Sequence, residues 1–427
     1  MHDFDIIVFA IHETKNFEVG MKKNNFKANV KDTHYTLAPI NWILKLFALN
    51  CVYRKNSQLV VRWSKIQNFI LIVILLIVVM IFLYGKVTTF EENENGSIKF
   101  NDLIEMTFLL NYTQYIIDLF YVFKSKHLLI NYYNSYDHID KIIGMTYYKG
   151  IRKSITYTVI INNVINVLTA IMDYLAWCLH FGCYHQTIFA IDYFFIWLTT
   201  LTIQDLTAQV IQVMYRLKTI ENLLKNKYTA LRISDIDPLN NFWISESRII
   251  KKHKDLLNLT SHNQLSDVVS LRRCYLMLLE QAECVNYIYG FRIVLFSFEE
   301  IIWMVNEINI AIRVCSGILR PDFPVAYIPG ITSLMRFGTL STILLLVRYC
   351  EQTYKKNKDI VNILDLIILN GNLSTELKSS LLELRDLMLY RPITFHAADY
   401  FTINKKLLVS ICSVVVTYSI ILLQSMK

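Results

Sequence analysis

Six side chains near the end of this 427-residue chain could line a wet path. Ser410, Ser413, Thr417, Ile420 and Gln424 recur at steps of three and four, so they share one helical face, with Ile421 beside Ile420. Hydroxyls and an amide along one side of an apolar helix suit a pore wall or a substrate path. Several copies could enclose a conduit in which a ring of Ile420 or Ile421 is the narrow apolar step that stops ions by dewetting. Gln424 would then coordinate ions on the outer side. Small hydroxyls also let two helices pack closely, and the stripe alone fits both readings.

A second set of residues suits capture of a small organic molecule. Asp173, Tyr174 and Trp177 fall together, as do Asp192, Tyr193 and Trp197, and then Glu299, Trp303, Asn306 and Glu307. Spacings of three and four put Asp173 with Trp177, Tyr193 with Trp197, and Glu299 with Trp303 and Asn306, each on a shared face. Rings supply dispersion and stacking, while carboxylates and amides fix orientation. Acids beside Trp and Tyr favour a cationic or amine-bearing ligand. An ionisable group at mid-bilayer costs about 3 kcal/mol or more, so these side chains face an aqueous cavity or a partner. Arg336 falls near the depth of Glu299 and Glu300, where a structural ion pair with Glu299 is favoured over ligand contact.

The elements that position these residues are membrane helices. Hydrophobic residues make up 54% of the chain, charged ones 18%, and it holds only 11 Gly and 6 Pro. A hydrocarbon core about 30 Å thick takes about 20 apolar residues per helix. Seven runs of that order occur: Ile66–Gly85, Leu103–Phe123, Ile155–Leu179, Thr187–Tyr215, Val285–Ile310, Tyr327–Val347 and Leu407–Gln424. Barrel-type alternation is absent, so the predicted class is all-α, a seven-transmembrane-helix protein.

Cations orient the spans. Residues 1–65 and the second, fourth and sixth loops hold 36 Lys and Arg, against 5 in the opposite segments. This bias predicts a cytoplasmic N-terminus and an external C-terminus, the reverse of a G-protein-coupled receptor, with no cytoplasmic tail for a transducer. The predicted organisation is an N-terminal arm over 1–65 with an interfacial helix at Leu37–Val52, a bundle over 66–347 with a helical loop at 216–284, a helical anchor over 348–406, and the pore helix over 407–427.

Outside the spans, Leu217, Ile220, Leu223 and Leu224 carry the fourth helix into the cytosol, and a break follows around Ser234–Asn241. Apolar periodicity resumes through Ile249, Leu256, Leu265, Val268, Leu271 and Leu278. Ile360, Ile363, Ile367, Leu381, Leu384 and Leu387 mark further amphipathic helices. Their apolar faces dock either within the chain or on neighbouring subunits.

No cleavable signal peptide is evident. Of the Asn-x-Ser/Thr matches at Asn95, Asn111, Asn258 and Asn372, only Asn95 sits in a predicted external loop. The 8 Cys form no C-x-x-C pair. Cys183 and Cys315, near external segments, are either bridged or unbonded, and Cys51, Cys274, Cys284 and Cys350 face a reducing interior. No metal spacing, phosphate loop or nucleophile motif occurs, so no catalysis, cofactor, metal or nucleic-acid partner is expected.

The stretch Thr417-Tyr418-Ser419-Ile420-Ile421-Leu422-Leu423-Gln424 resembles the signature of insect gustatory receptors, a Thr-Tyr pair, five mainly hydrophobic positions and a Gln. Phe395-His396-Ala397-Ala398-Asp399-Tyr400-Phe401 is similar to the family's Phe-x-Ala-x-Gly-Phe-Phe, and Asn286-Tyr287-Ile288-Tyr289-Gly290 resembles the start of its fifth helix. Departures are Ser425 where the family usually has Phe, Ser419 at the first hydrophobic position, and Asp399 in place of Gly. The resemblance implies a ligand-gated, non-selective cation channel at the plasma membrane. It implies a homotetramer or a heteromer with other gustatory receptors, passing monovalent and divalent cations, each chain giving its seventh helix to a central pore. It places the tastant pocket among helices two to six and the fifth helix beside the pore helix. Features of the sugar and carbon dioxide branches are missing, so a bitter-type or orphan receptor is the default. An odorant-receptor-like channel is the nearest alternative, which the Thr-Tyr to Gln spacing argues against. A G-protein-linked receptor or a secondary transporter are the alternatives from other classes.

Overall fold

A computed structural model describes residues 32–55, 58–61, single positions between 69 and 80, and residues 98–181, 183–235, 261–315, 328–370 and 373–425. The chain divides into two units, Met1–Lys31 and Asp32–Lys427, and the described residues belong to the second. In order the elements are α1 (Thr33–Leu46), β1 (Val52–Lys55), β2 (Gln58–Val61), α2 (Ile98–Ile143), α3 (Tyr148–Phe181), α4 (Cys183–Asp235), α5 (Ser261–Cys315), α6 (Ile328–Asn370), α7 (Thr375–Tyr390), β3 (His396–Ala397), β4 (Phe401–Thr402) and α8 (Lys405–Ser425). The described positions between 69 and 80 are helical as well. Most of the predicted span Ile66–Gly85, the turn around Pro238, Asn95, Asn258 and Asn372 lie outside the described residues.

The long helices exceed what a bilayer needs. α4 has 53 residues and α5 has 55, each about 80 Å long at a rise of about 1.5 Å per residue. α4 continues past the apolar run to Asp235, as the period through Leu217, Ile220 and Leu224 predicts. Two helices among the described residues are long and apolar enough to cross a membrane by length and composition, Tyr148–Ala176 and Asp192–Asn226.

These two play opposite parts. The apolar stretch that qualifies α4 is 89% buried, against 28% for that of α3, and α4 is the axis on which α2, α3 and α6 pack. α3 turns Tyr157, Ile160, Val164, Leu168, Ile171, Leu175 and Leu179 outward as an exposed apolar stripe. Such a stripe is compatible with lipid and costly in water.

α1 is the segment expected at the inner interface. Asp32 caps it, its carboxylate accepting from the Tyr35 N–H at 2.9 Å. Leu37, Ile40 and Leu44 are fully enclosed, and α1 packs mainly on α3 and also on α4, with Thr33 bonded to Arg216 at one end and Phe47 meeting Phe194 and Trp197 edge-on at the other. The chain then folds back, because Arg54 of β1 pairs with Asp32. The segment therefore lays one face on the bundle and turns back, while Trp42 and Leu46 stay exposed on its other face.

α7 starts at Ser374, whose Oγ accepts the Leu377 N–H at 3.3 Å, and buries Leu377, Leu381, Leu384 and Met388 at helical spacing. It packs on α5 and α6, and Ile360, Ile363 and Ile367 of α6 are buried too. The apolar faces of α6 and α7 are thus covered within the chain, while Ile249 and Leu256 lie outside the described residues. Leu366, Leu369, Leu389 and Tyr390 remain exposed.

Glu221 of α4 accepts from Lys225 at 2.5 Å and from Lys356 of α6 at 2.7 Å. Burial alone would raise its carboxyl, but the hydrogen bonds and charge of the two lysines outweigh it and hold it below the usual carboxylate range. A carboxyl depressed in the folded state stabilises fully at neutral pH, and the contribution fades as pH falls through its folded value. Glu221→Gln is therefore expected to flatten the acid-side loss of thermal stability of the detergent-solubilised protein. Parallel pH profiles for parent and variant would show that the junction does not act this way.

Candidate functional site

α8 packs on α5 and, over a shorter stretch, on α6. Among the described side chains its buried side is Ile411 and Val415, with Leu407 and Leu408 half-buried against the core. At about 100° per residue, Ser410, Ser413, Thr417, Ile420 and Gln424 fall on the opposite side of the helix. All five are exposed on the chain, Ile420 by 50%, as are Ile421 by 51% and Tyr418 by 52%. The Thr417 hydroxyl donates to the Ser413 carbonyl at 2.8 Å, leaving lone pairs for an outside partner. The polar stripe therefore does not serve packing within this chain.

The start of α8 is clamped. Asn404 Oδ1 accepts the Lys406 N–H at 2.8 Å, and Glu351 of α6 accepts the Lys405 N–H at 3.0 Å. A carboxylate there suits the positive end of the helix dipole. Just before it, β3 and β4 pair His396 with Thr402 and Ala397 with Phe401. The turn between them holds Ala398 at φ 47° and Asp399 at φ 60°. This left-handed backbone explains the glycine of the resembled pattern, and Asp is among the side chains that tolerate it best. Tyr354 of α6 holds the hairpin, its hydroxyl lying 3.1 Å from the Phe395 N–H and 3.0 Å from the Ile403 carbonyl.

The two motifs that resemble the family about a hundred residues apart touch each other. Asn286 Nδ2 donates to the Thr394 carbonyl and the His396 N–H donates to Asn286 Oδ1, both at 3.0 Å. One turn along α5, Gly290 lies so close to the hairpin that an added Cβ would sit 2.6 Å from the Ala398 nitrogen. Backbone cannot swing aside as a side chain can. Gly290→Ala is expected to destabilise by about 1–3 kcal/mol through overpacking, read as lower survival of monodisperse protein on heating. An unchanged melting profile would contradict the close approach.

Behind this clamp lies a buried polar column absent from the sequence-based site. Thr202, Asp205, Gln209, Gln212 and Arg216 of α4 recur at steps of three and four, and all are buried. Thr202 donates to Asp118 Oδ2 at 2.7 Å. Arg292 of α5 pairs with Asp118 Oδ1 at 3.0 Å and donates to the Asp118 carbonyl at 2.7 Å. Tyr289 donates to Asp205, and Gln209 accepts from Tyr132 at 2.9 Å. At the far end Arg216 is wholly enclosed. Its Nε and Nη2 reach the two oxygens of Asp140 at 2.8 and 2.7 Å, Nη2 also donates to Thr33 at 2.9 Å, and Nη1 serves the Gln212 carbonyl and Oε1 at 3.0 and 2.8 Å. The guanidinium lies 3.8 Å from the Tyr136 ring centre. All five of its donors are used. The 3,4,3,4 polar spacing on α4 was the signal that could have found this column.

The ligand-capture candidates are partly brought together. Tyr193 donates to the buried Asp173, and the Tyr174 and Tyr193 rings meet edge-on at 6.5 Å, joining α3 to α4. Trp197 donates to Asn163 Oδ1 at 2.7 Å and packs on Phe47. Glu299 and Glu300 are buried, while Asp192, Trp303 and Glu307 are half-buried. The side chains of Trp177, Asn306, Arg336, Cys183 and Cys315 lie outside the described residues. Asn111, one of the glycosylation matches, is buried.

A chain of long helices around a buried polar axis, with a last helix that keeps one face uncovered, agrees with what comparison finds. Residues 37–426 match the family described as 7tm chemosensory receptor, and the chain belongs to that family of membrane receptors. Among solved structures it is similar to the insect olfactory receptor OR5 from Machilis hrabei, with a TM-score of 0.56, 13% identity, and coverage of 92% of this chain and 100% of that one. The structure of OR5 in complex with eugenol gives a TM-score of 0.54 and 12% identity at the same coverage. Identities this low establish the fold alone. No curated protein matches the chain.

Proposed function

We propose that the protein is a gustatory receptor acting as a ligand-gated, non-selective cation channel at the plasma membrane. Four chains, alike or mixed with other gustatory receptors, surround a pore lined by Ser410, Ser413, Thr417 and Gln424, with Ile420 and Ile421 as the gate. The N-terminus is cytoplasmic and the C-terminus external. The observation that carries this reading is the polar stripe of α8 turned away from the chain's own bundle. A tastant enters among α2 to α6, near Asp173, Tyr174 and Tyr193, with Asp192, Trp197, Glu299, Trp303 and Glu307 as further lining, and the same region takes in Trp177 and Asn306. The bitter-type or orphan default stands by elimination.

The purified chain in liposomes, without nucleotide or G protein, is expected to pass cation current promptly when a panel of bitter-type small molecules is applied. A response that appears only with a G protein and nucleotide would overturn the channel reading. A second reading, an odorant-receptor-like channel, draws on the fold shared with an olfactory receptor. A volatile phenol such as eugenol belongs in the same panel, because OR5 was solved with it.

A further inference from the structure

We propose that Asn286, Tyr289 and Arg292 form a joint that carries motion from the α2–α4 core to the pore helix. The inference rests on the reading of α8 as a pore wall and adds how that wall is driven. Two turns of α5 hold bonds on two different sides. Toward the core, Tyr289 donates to Asp205 of α4, and Arg292 is pinned to the side chain and the carbonyl of Asp118 on α2. Asp118 is in turn held by Thr202 of α4. Toward the pore, Asn286 makes two hydrogen bonds to the backbone of the hairpin, and Gly290 admits that backbone into van der Waals contact.

The side of α5 facing the core is expensive to rearrange. Arg292 and Asp118 are both buried, so separating them leaves two charges without compensation. A shift of α2 or α4 therefore takes α5 with it. The other side is equally committed. The hairpin is three residues from the first turn of α8, and Asn286 reads its main chain, which has no freedom to follow independently. Displacement of α5 thus re-aims α8. The connection is serial, from Asp118 and Asp205 through Arg292 and Tyr289 to Asn286, then Thr394 and His396, then α8.

A serial connection has a signature that a merely structural role lacks. Cutting the second link abolishes the effect of cutting the first, whereas independent stabilising contacts add. The readout needs no tastant. In a chain carrying Cys412→Ser and Ser413→Cys, the rate at which a permanently cationic methanethiosulfonate alters the resting current of reconstituted protein reports pore access.

Asp118→Asn and Tyr289→Phe, which keep shape, are each expected to change that rate at least tenfold in the same direction. Combined with Asn286→Leu, either change is expected to shrink below threefold. If Asp118→Asn and Tyr289→Phe both leave the rate within threefold, or if their effects are undiminished by Asn286→Leu, the joint is wrong even though the pore stands. If the reagent never acts on the Ser413→Cys chain, the pore reading itself has failed. Size-exclusion elution matched to the parent identifies the folded variants, and Tyr289→Phe, which loses one hydroxyl, supplies the test should Asp118→Asn not fold.

Discussion

Ile421→Ser is expected to raise the resting cation conductance about tenfold or more, a shift that corresponds to about 1.4 kcal/mol in the balance of conducting and closed arrangements. Ile420 and Ile421 lie within one turn of α8 and are half-exposed on a side the chain's own bundle does not cover. Around a shared axis, two adjacent apolar positions make a constriction that water leaves, and an ion cannot cross a dry ring without shedding hydration. Serine shortens the side chain and adds a hydroxyl, so the ring widens and wets. Ile421→Val, which stays apolar and nearly as large, is expected to remain tight. Recording ligand-free current from all three proteins decides it, and a serine variant as tightly closed as the parent would remove Ile421 from the gate.

Asp140→Asn is expected to cost about 3–5 kcal/mol, because it strips the counter-charge from an enclosed arginine. Arg216 is 0% exposed, and its bidentate partner comes from α2 while its remaining donors reach α1 and its own helix. Loss of the carboxylate therefore loosens three helices together. Removing both charges in the pair Asp140→Leu with Arg216→Met is expected to be milder than Asp140→Asn alone, since an apolar pair leaves nothing stranded. Survival of monodisperse protein on heating orders the three. A double replacement as damaging as the single one would mean that packing, not charge, governs the site.

The polar stripe of α8 was legible in the sequence because helical periodicity is local. Five residues within one helix declare their shared face without knowledge of what surrounds them, and the structure adds only that this face is uncovered. Arg216 shows the opposite case. In the sequence it is the first cation after an apolar run and counts toward the charge of a loop. In the structure it is the centre of the core, because its partners lie 76 and 183 positions away. Asp118 and Arg292 were passed over for the same reason.

The family-like motifs were legible as strings but not as neighbours. Asn286 and Gly290 gain meaning only when the hairpin at Phe395–Phe401 is laid against them, and the departure at Asp399 becomes intelligible once its backbone is left-handed. α1 was legible only in part. Its two-faced pattern is local, with Trp42 and Leu46 exposed opposite Leu37, Ile40 and Leu44, but the hydrogen bonds of Thr33 and Thr36 with Arg216 and Gln212 that tie it to α4 span 183 and 176 positions.

The central claim is that several copies of this chain meet about an axis with α8 inward. An experimental density map of the purified protein in a lipid nanodisc tests it most directly. Four protomers with Ser410, Ser413, Thr417 and Gln424 facing a common aqueous centre is the expected result. A lone protomer, or an α8 surrounded by acyl chains along the whole of that stripe, would contradict it.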